Sequence, residues 1–297
     1  MLDMTRTQQF SDIIHDTILY SGLEREVVGT PIFNRLHRIL QSSMVYLTFS
    51  SNKVKRFEHS IGVMHIAGKM LFYSICNAKK DTREKFFTSI QDEVLRWRET
   101  VQATEITYVL DSIQTKYANK KILDAPFPKC MLYEQFSPAC LSEKQKFLYF
   151  IVFQAVRLAA LLHDVGHLPY SHIMEFAIAD IYKDILNMPE EKRTPKHEDF
   201  LNILSFFSDK SPDGVESGQF SIHEDIGLSL TDKIFASIIN TLPRRTDESR
   251  FFLALVFFFV KQIMKTPSDE RNSIFADLHL IIDGVRDADR LDYCSRA

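Results

Sequence analysis

The chain has 297 residues, 45% of them hydrophobic, which is ample for a buried core and excludes global disorder. Its 36 Lys and Arg balance 39 Asp and Glu to a net charge of -3, so the basic composition of a dedicated nucleic-acid binder is absent. The four cysteines are scattered without the CxxC spacing of zinc sites, so we expect reduced thiols and a cytoplasmic protein.

Long stretches of the chain repeat apolar residues three and four positions apart, and only nine glycines occur. This pattern predicts an all-α fold, with residues 1–297 forming one helical domain. The first helix of functional interest covers about 59–75. His59 begins its buried face, and the small residues Gly62 and Gly68 allow another element to approach closely.

The segment 78–141 predicts two amphipathic helices that separate this helix from the next motif. The apolar positions of the first are Phe86, Ile90, Val94 and Trp97, and those of the second are Ile106, Val109, Leu110, Ile113 and Tyr117. We interpret the segment as an inserted helical subdomain that covers a cleft, forms a subunit interface, or simply adds packing. Its apolar faces favour a homo-oligomer, and a C2 dimer is the commonest form.

A long apolar helix follows, and it leads directly into a cluster of ionisable residues. The sequence Ser142–Gln145 is typical of a capping box at the start of a helix. The stretch His163–His172, which follows the apolar run, contains three imidazoles and one carboxylate. Such groups are costly to bury without a partner, so a metal ion or a charged substrate is expected. Gly166 and Pro169 should end the helix and leave the histidines at the mouth of a cleft.

Three further features complete the chain. His197 and His223 each begin a His-Glu-Asp sequence that indicates the start of a helix. The run Phe251–Val260 is apolar but much shorter than the roughly 20 residues that a bilayer requires, so it predicts a buried core helix and no membrane partner. The last motif, Arg286–Tyr293, supplies Asp289.

A set of four residues has the composition of a metal site. His59, the His163–Asp164 pair and Asp289 each lie on an otherwise apolar helix. Two imidazoles and two carboxylates suit a divalent metal (Mn, Fe, Mg or Zn) with open positions for water and substrate. Such a metal polarises a phosphoryl oxygen and lowers the pKa of bound water. The set therefore favours hydrolysis of a phosphate ester or phosphoanhydride.

Four ordered stretches resemble the HD-domain metal-dependent phosphohydrolase superfamily: Thr30–Gln41, Arg56–Val63, His163–His172 and Asp287–Tyr293. Within it they are similar to the sterile-alpha-motif/HD-domain and dGTPase-type deoxynucleoside triphosphate triphosphohydrolases. The resemblance implies an HD-domain helical bundle, a homo-oligomer, and hydrolysis of deoxynucleoside triphosphates to nucleoside and triphosphate. Family members continue beyond the position of Ala297, so we expect either a fragment or a reduced catalytic core.

The resemblance also implies residue roles. In the family, the histidines matching the second and third of the His163–His172 stretch contact phosphates and take part in catalysis. A further downstream histidine does so too, and the family spacing favours His197 over His223. The implied catalytic residues are His167, His172 and His197, and the implied substrate contacts are Gln41, Arg56, Arg290 and Tyr293.

Two other functions remain open from the sequence. An HD-type nuclease or phosphodiesterase would use the same metal on single-stranded nucleic acid or on a cyclic or signalling nucleotide. The neutral charge balance favours a small nucleotide over nucleic acid. A regulatory or scaffold protein with a vestigial site is the third reading, and the presence of all four ligands argues against it.

Overall fold

The computed structural model describes residues 7–101, 130–207, 222–241, 247–266 and 273–296. The all-α prediction is confirmed, and the described residues add one antiparallel hairpin of β1 (Gln8–Asp12) and β2 (Asp16–Tyr20). The helices are α1 (Gly22–Val28), α2 (Pro31–Asn34), α3 (Arg56–Asn77), α4 (Lys80–Val101), α5 (Met131–Gln135), α6 (Glu143–Leu162), α7 (His172–Leu186), α8 (Pro195–Phe207), α9 (Ile222–Thr241), α10 (Asp247–Lys265), α11 (Ile274–His279) and α12 (Ala288–Arg296). Short 3₁₀ turns lie at Arg35–Arg38, Val45–Leu47 and Glu190–Lys192.

Helix α6 is the centre of the core, because every side chain from Phe147 to Leu162 is buried. The predicted capping box starts it: Ser142 Oγ accepts from the Gln145 backbone N–H, and the Ser142 N–H donates to Gln145 Oε1. Helices α3 and α10 pack along it. By length and composition alone α6 could cross a membrane, but its side chains lie inside the fold.

Helix α10 contains the apolar run that the sequence assigned to the core. Leu255, Val256, Phe259 and Val260 are fully buried against α6 and its neighbours. The Phe257 ring stacks on Phe235 of α9 at 3.8 Å. The prediction of a buried core helix here is confirmed.

The first predicted helix of the 78–141 segment is α4. Its Ile90, Val94 and Trp97 are buried within their own chain, where α4 lies against α6 and α11. Phe86 is only partly buried and Phe87 takes the inner position. The apolar face of α4 therefore packs within its own subunit and is not available for a subunit interface. The second predicted helix, 106–117, lies outside the described residues, and the 78–141 insertion stays a prediction.

A buried polar network joins α1 to α6. Arg157, which is fully buried, donates from Nε to Glu24 Oε1 at 2.7 Å and from Nη2 to Glu24 Oε2 at 2.9 Å. Gln154 donates to the same carboxylate, and Arg157 also reaches the Leu19 carbonyl of β2. Gly68 of α3 lies against the Arg157 side chain, as its small size predicted.

Candidate active site

The turn that follows α6 is fixed by backbone bonds and by one arginine. His163 is the C-cap of α6, and the His167 N–H donates to the Asp164 carbonyl at 3.1 Å. Arg35 donates from Nη1 to the His167 carbonyl at 2.7 Å and from Nη2 to the Val165 carbonyl. Sequence reasoning did not single out Arg35, because its task is to hold main-chain atoms 130 residues away.

The four candidate metal ligands meet at this turn. His59 Nε2, from the first turn of α3, lies 2.8 Å from Asp289 Oδ1 and 3.6 Å from Asp164 Oδ2. His163 Nε2 lies 3.4 Å from Asp164 Oδ1 and 3.6 Å from Asp289 Oδ1. Residues from three distant parts of the sequence thus place two imidazole nitrogens and two carboxylates around one point.

Three atoms at this point are buried and have no hydrogen-bond partner among the described residues: His59 Nε2, His163 Nε2 and Asp289 Oδ1. The 2.8 Å approach of His59 to Asp289 is short, but its direction does not suit a hydrogen bond. Buried polar atoms are normally paired, so three unpaired atoms facing each other need a common partner. A divalent cation with N and O ligands fits that requirement.

Hydrogen bonds at the opposite ring nitrogens orient both imidazoles for such a cation. His59 Nδ1 donates to Asp292 Oδ2 at 2.8 Å, and His163 Nδ1 donates to the Ala160 carbonyl at 2.7 Å. A carboxylate and a carbonyl can only accept, so Nδ1 carries a proton in each ring and Nε2 is the nitrogen that faces the site. Asp292 was not assigned from the sequence, although it follows Asp289 by one helical turn.

The electrostatics of the cluster also favour a cation. Burial lowers the pKa of His163, but the Asp164 and Asp289 carboxylates outweigh burial and raise that pKa to about 9. Burial raises the pKa of Asp164, but His163 and Arg56 outweigh it and hold that pKa well below its usual range. Burial likewise raises the pKa of Asp289, but His163 and His59 outweigh it and lower that pKa. Both carboxylates therefore stay ionised and create a negative potential at the site.

Arg56, a predicted substrate contact, is engaged inside the protein. Its side chain is 4% exposed and forms an ion pair with Asp164. It also donates to Ser171 Oγ at 2.9 Å and to the Gln41 carbonyl at 3.3 Å. Tyr170 and Ser171 both have positive φ, so this loop bends sharply where Arg56 holds it. In this conformation Arg56 fixes the carboxylate of a candidate metal ligand.

A second cluster adjoins the first and contains three imidazoles around one carboxylate. His172 Nδ1 lies 3.0 Å from Glu175 Oε2, and His223 Nδ1 lies 2.7 Å from Glu175 Oε1. The His167 ring stacks on His223 at 4.1 Å, and its Nε2 lies 3.1 Å from Asp164 Oδ1. His167 therefore connects the two clusters. Sequence reasoning missed Glu175, although it follows His172 at the i+3 spacing that places both on one helix face.

The structure brings His223 to this cluster and not His197. His223 is at the start of α9, and its backbone N–H also donates to Glu175 Oε1 at 2.9 Å. His197 Nδ1 accepts from the Thr194 N–H at 3.2 Å, which is a helix-start contact. Among the described residues, His197 belongs to neither group of metal-ligating side chains. The geometry thus favours His223 where the family spacing favoured His197.

Gly166 explains how α9 comes so close to the His163–His172 turn. A Cβ at Gly166 would lie 1.8 Å from the His223 carbonyl oxygen and 2.5 Å from the Gly227 nitrogen. A Cβ at Gly227 would meet nothing nearer than 3.6 Å. The absent side chain of Gly166 is therefore a condition for placing His223 beside His167.

The remaining predicted substrate contacts lie at the edge of the cluster. Gln41 and Tyr293 line a small pocket together with Arg296, and Gln41 Oε1 is buried without a hydrogen-bond partner. Tyr293 is 46% exposed, and the Arg290 side chain is 62% exposed beside Asp287.

Comparison of the whole sequence with known proteins finds several relatives. No protein-family model matches the chain. The chain is 36% identical to deoxynucleoside triphosphate triphosphohydrolase SAMHD1 of Danio rerio over 83 residues, which are 28% of this chain and 12% of the relative. It is 25% identical to the SAMHD1 of Gallus gallus over 219 residues, which are 74% of this chain and 24% of the relative. It is 41% identical over 59 residues (20% and 13%) to an uncharacterized protein of Methanocaldococcus jannaschii.

A crystal structure of a phosphohydrolase from Bacteroides thetaiotaomicron aligns with 97% of this chain and 40% of its own, with 18% identity and a TM-score of 0.44. The matched regions span 12–24% of the length of the three curated relatives. The sequence matches and the ordered motifs relate this chain to the HD-domain phosphohydrolases.

Proposed function

We propose that this chain is a metal-dependent phosphohydrolase and that deoxynucleoside triphosphates are its substrates. The observation that carries the proposal is the meeting of unpaired His59 Nε2, His163 Nε2 and Asp289 Oδ1 beside Asp164. A divalent metal held there would polarise a phosphoryl oxygen and lower the pKa of bound water. The alternative of a vestigial site is disfavoured, because unpaired buried atoms are costly unless a ligand uses them.

The second cluster supplies the proton chemistry in this proposal. Hydrolysis of the bond between the α-phosphorus and O5′ adds OH to the triphosphate and H to the nucleoside 5′ oxygen. The hydrogen bond to Glu175 raises the pKa of His172, and burial opposes this. His172 is 59% exposed and its Nε2 is not used by Glu175, so it can deliver a proton to the leaving oxygen. Glu175 orients His172 and His223 together.

Two observations support deoxynucleoside triphosphates as the substrate class: the activity named for the relatives and the net charge of this chain. The curated relatives include deoxynucleoside triphosphate triphosphohydrolases, and the chain lacks the excess of basic residues that long nucleic acids favour. Arg290 and Tyr293 extend from the turn of α12 that carries Asp289 and would contact phosphate and sugar. Gln41 lines the same small pocket as Tyr293 and would contact the nucleotide there.

The experiment is a product analysis. The purified chain is incubated with Mn²⁺ or Mg²⁺ and a panel of deoxynucleoside triphosphates, cyclic nucleotides and single-stranded DNA. We expect deoxynucleoside and inorganic triphosphate, and no products after chelation of the metal. Cleavage of DNA or of cyclic nucleotides alone would replace the substrate part of the proposal. No turnover in metal-loaded protein would overturn it, with the Asp289→Ala variant as the matched inactive control.

A further inference from the structure

The β-hairpin at the start of the described chain reaches the candidate metal site through one histidine. His15, in the turn between β1 and β2, donates from Nε2 to Asp292 Oδ1 at 2.6 Å. The other oxygen of the same carboxylate, Oδ2, accepts from His59 Nδ1 at 2.8 Å. His59 Nε2 is one of the three unpaired atoms of the site. A continuous chain of hydrogen bonds thus runs from the hairpin to a candidate metal ligand.

The hydrophobic effect does not account for the way this turn is folded. Ile13 is 98% exposed and Ile14 is 42% exposed, whereas the side chain of His15 is only 12% exposed. Because the turn exposes two isoleucines and buries an imidazole, we attribute its conformation to the hydrogen bond of the imidazole and not to apolar burial. Asp12 shapes it, because Asp12 Oδ1 accepts from the backbone N–H groups of Ile14 and His15 at 2.9 and 3.0 Å.

Anchoring of the hairpin does not require His15 either. Arg296 Nη2 already connects the hairpin to α12 by donating to Asp12 Oδ2 at 2.9 Å. The same arginine donates from Nε to Asp292 Oδ2 at 2.6 Å. His15 is the donor to the remaining oxygen, Oδ1, so it fixes the rotation of the carboxylate.

The Asp292 side chain is closely packed against α3. It is fully buried, and a Cβ at Gly62 of α3 would lie 1.8 Å from Asp292 Oδ1. The absent side chain at Gly62 therefore creates the space in which His15 and Asp292 meet. The orientation of Asp292 matters because it holds the proton of His59 on Nδ1 and turns Nε2 toward the candidate metal site.

We propose that His15 is a positioning residue for the metal site, acting through Asp292 on His59. This inference rests on the proposed metal site and identifies a residue that contacts neither metal nor substrate. Mutation of a residue that hydrogen-bonds to a metal-binding histidine typically lowers metal affinity by about 10–100-fold. Because His15 acts through one intermediate residue, we expect an effect of about 10-fold, at the lower end of that range.

The test uses Co²⁺ alone as the probe, since its visible absorption reports affinity and coordination without substrate. We expect His15→Ala to bind Co²⁺ about 10-fold more weakly than the parent, with an altered absorption spectrum. His15→Gln, whose side-chain N–H can replace Nε2–H, should restore most of the affinity. His15→Phe keeps the ring volume without the donor and serves if the alanine variant does not fold.

His279→Ala is the matched control, because His279 donates to the Ile263 carbonyl and belongs to no metal-ligating group among the described residues. It should leave the Co²⁺ affinity unchanged. Parental affinity in both His15→Ala and His15→Phe would overturn the positioning role, and so would an equal loss in His279→Ala. If Co²⁺ binding depends on His15 but no nucleotide is hydrolysed, the positioning role stands and the proposed function fails. A parent that binds no Co²⁺ removes both.

Discussion

Three of the four candidate metal ligands are held in place by a partner on the side away from the site. His59 is held by Asp292, His163 by the Ala160 carbonyl, and Asp164 by Arg56. These contacts fix tautomers and rotamers before any cation binds, which reduces the cost of ordering the site. A change in a ligand should therefore affect metal content directly, without loss of the helical core.

We expect His163→Ala and Asp289→Ala to lose metal and activity while keeping the far-ultraviolet circular dichroism of the parent. The first removes a nitrogen ligand, and the second removes a charge that offsets the cation. Elemental analysis of the purified proteins measures the metal directly. Full metal content in the Asp289→Ala protein would exclude that carboxylate from the site.

His172 and His223 should affect turnover rather than metal content. Alanine at either position removes an imidazole that Glu175 orients, and we expect turnover to fall by very roughly 10²–10⁴-fold. His197→Ala is the matched control, because His197 contacts the start of its own helix. Normal turnover in His223→Ala, with loss in His197→Ala, would show that His197 is the downstream catalytic histidine, as the family spacing implies.

At the scale of elements, the site is assembled where α6 ends and α3, α9 and α12 approach it. Helices cannot come this close unless small residues lie at the contacts. Gly62 admits Asp292 of α12, and Gly166 admits the backbone of α9. The sequence indicated the small residues of α3, but the partner of Gly166 is 57 positions away and gave no local signal.

The pair Gly166 and Gly227 offers a controlled test of this contact. Gly166→Ala introduces a Cβ 1.8 Å from the His223 carbonyl, so α9 has to move and take His223 away from Glu175. We expect a large loss of turnover with most of the metal retained. Gly227→Ala meets only ordinary contacts, so it should be tolerated and add up to about 1 kcal/mol of helix stability. Equal activity in the two variants would contradict this account.

At the scale of the whole molecule, α6 forms the core and the Glu24–Arg157 pair joins the N-terminal elements to it. Both side chains are fully buried, so removal of one leaves an uncompensated charge. We expect Glu24→Ala to lower the free energy of unfolding by about 3–5 kcal/mol. The double replacement Glu24→Leu with Arg157→Met should cost less, because it leaves no buried charge.

Denaturant unfolding of the three proteins measures this difference. Metal affinity per folded molecule should stay the same, since neither residue contacts the clusters. A single variant as stable as the parent would show that the pair does not hold these elements together.

Self-association is a further expectation at this scale. Because the apolar face of α4 is buried within its own chain, a subunit interface would have to use another surface. We propose a homodimer, which light scattering would report as twice the 34.5 kDa mass of the chain. A mass near that of one chain over a wide concentration range would exclude it. Activity measured over the same range would show whether the site needs the second copy.

The sequence by itself determined the helical class, the buried character of α6 and α10, and the four candidate ligands. Those features are local: periodicity, a capping box, and short motifs whose residue types have few other uses. The tertiary structure alone decided which downstream histidine joins Glu175, why Gly166 lacks a side chain, and that the α4 face is buried. It also decided that His59 is hydrogen-bonded to Asp292, and Asp292 to His15. Each of these depends on contacts between residues far apart in sequence, and spacing along the chain does not determine distance in space.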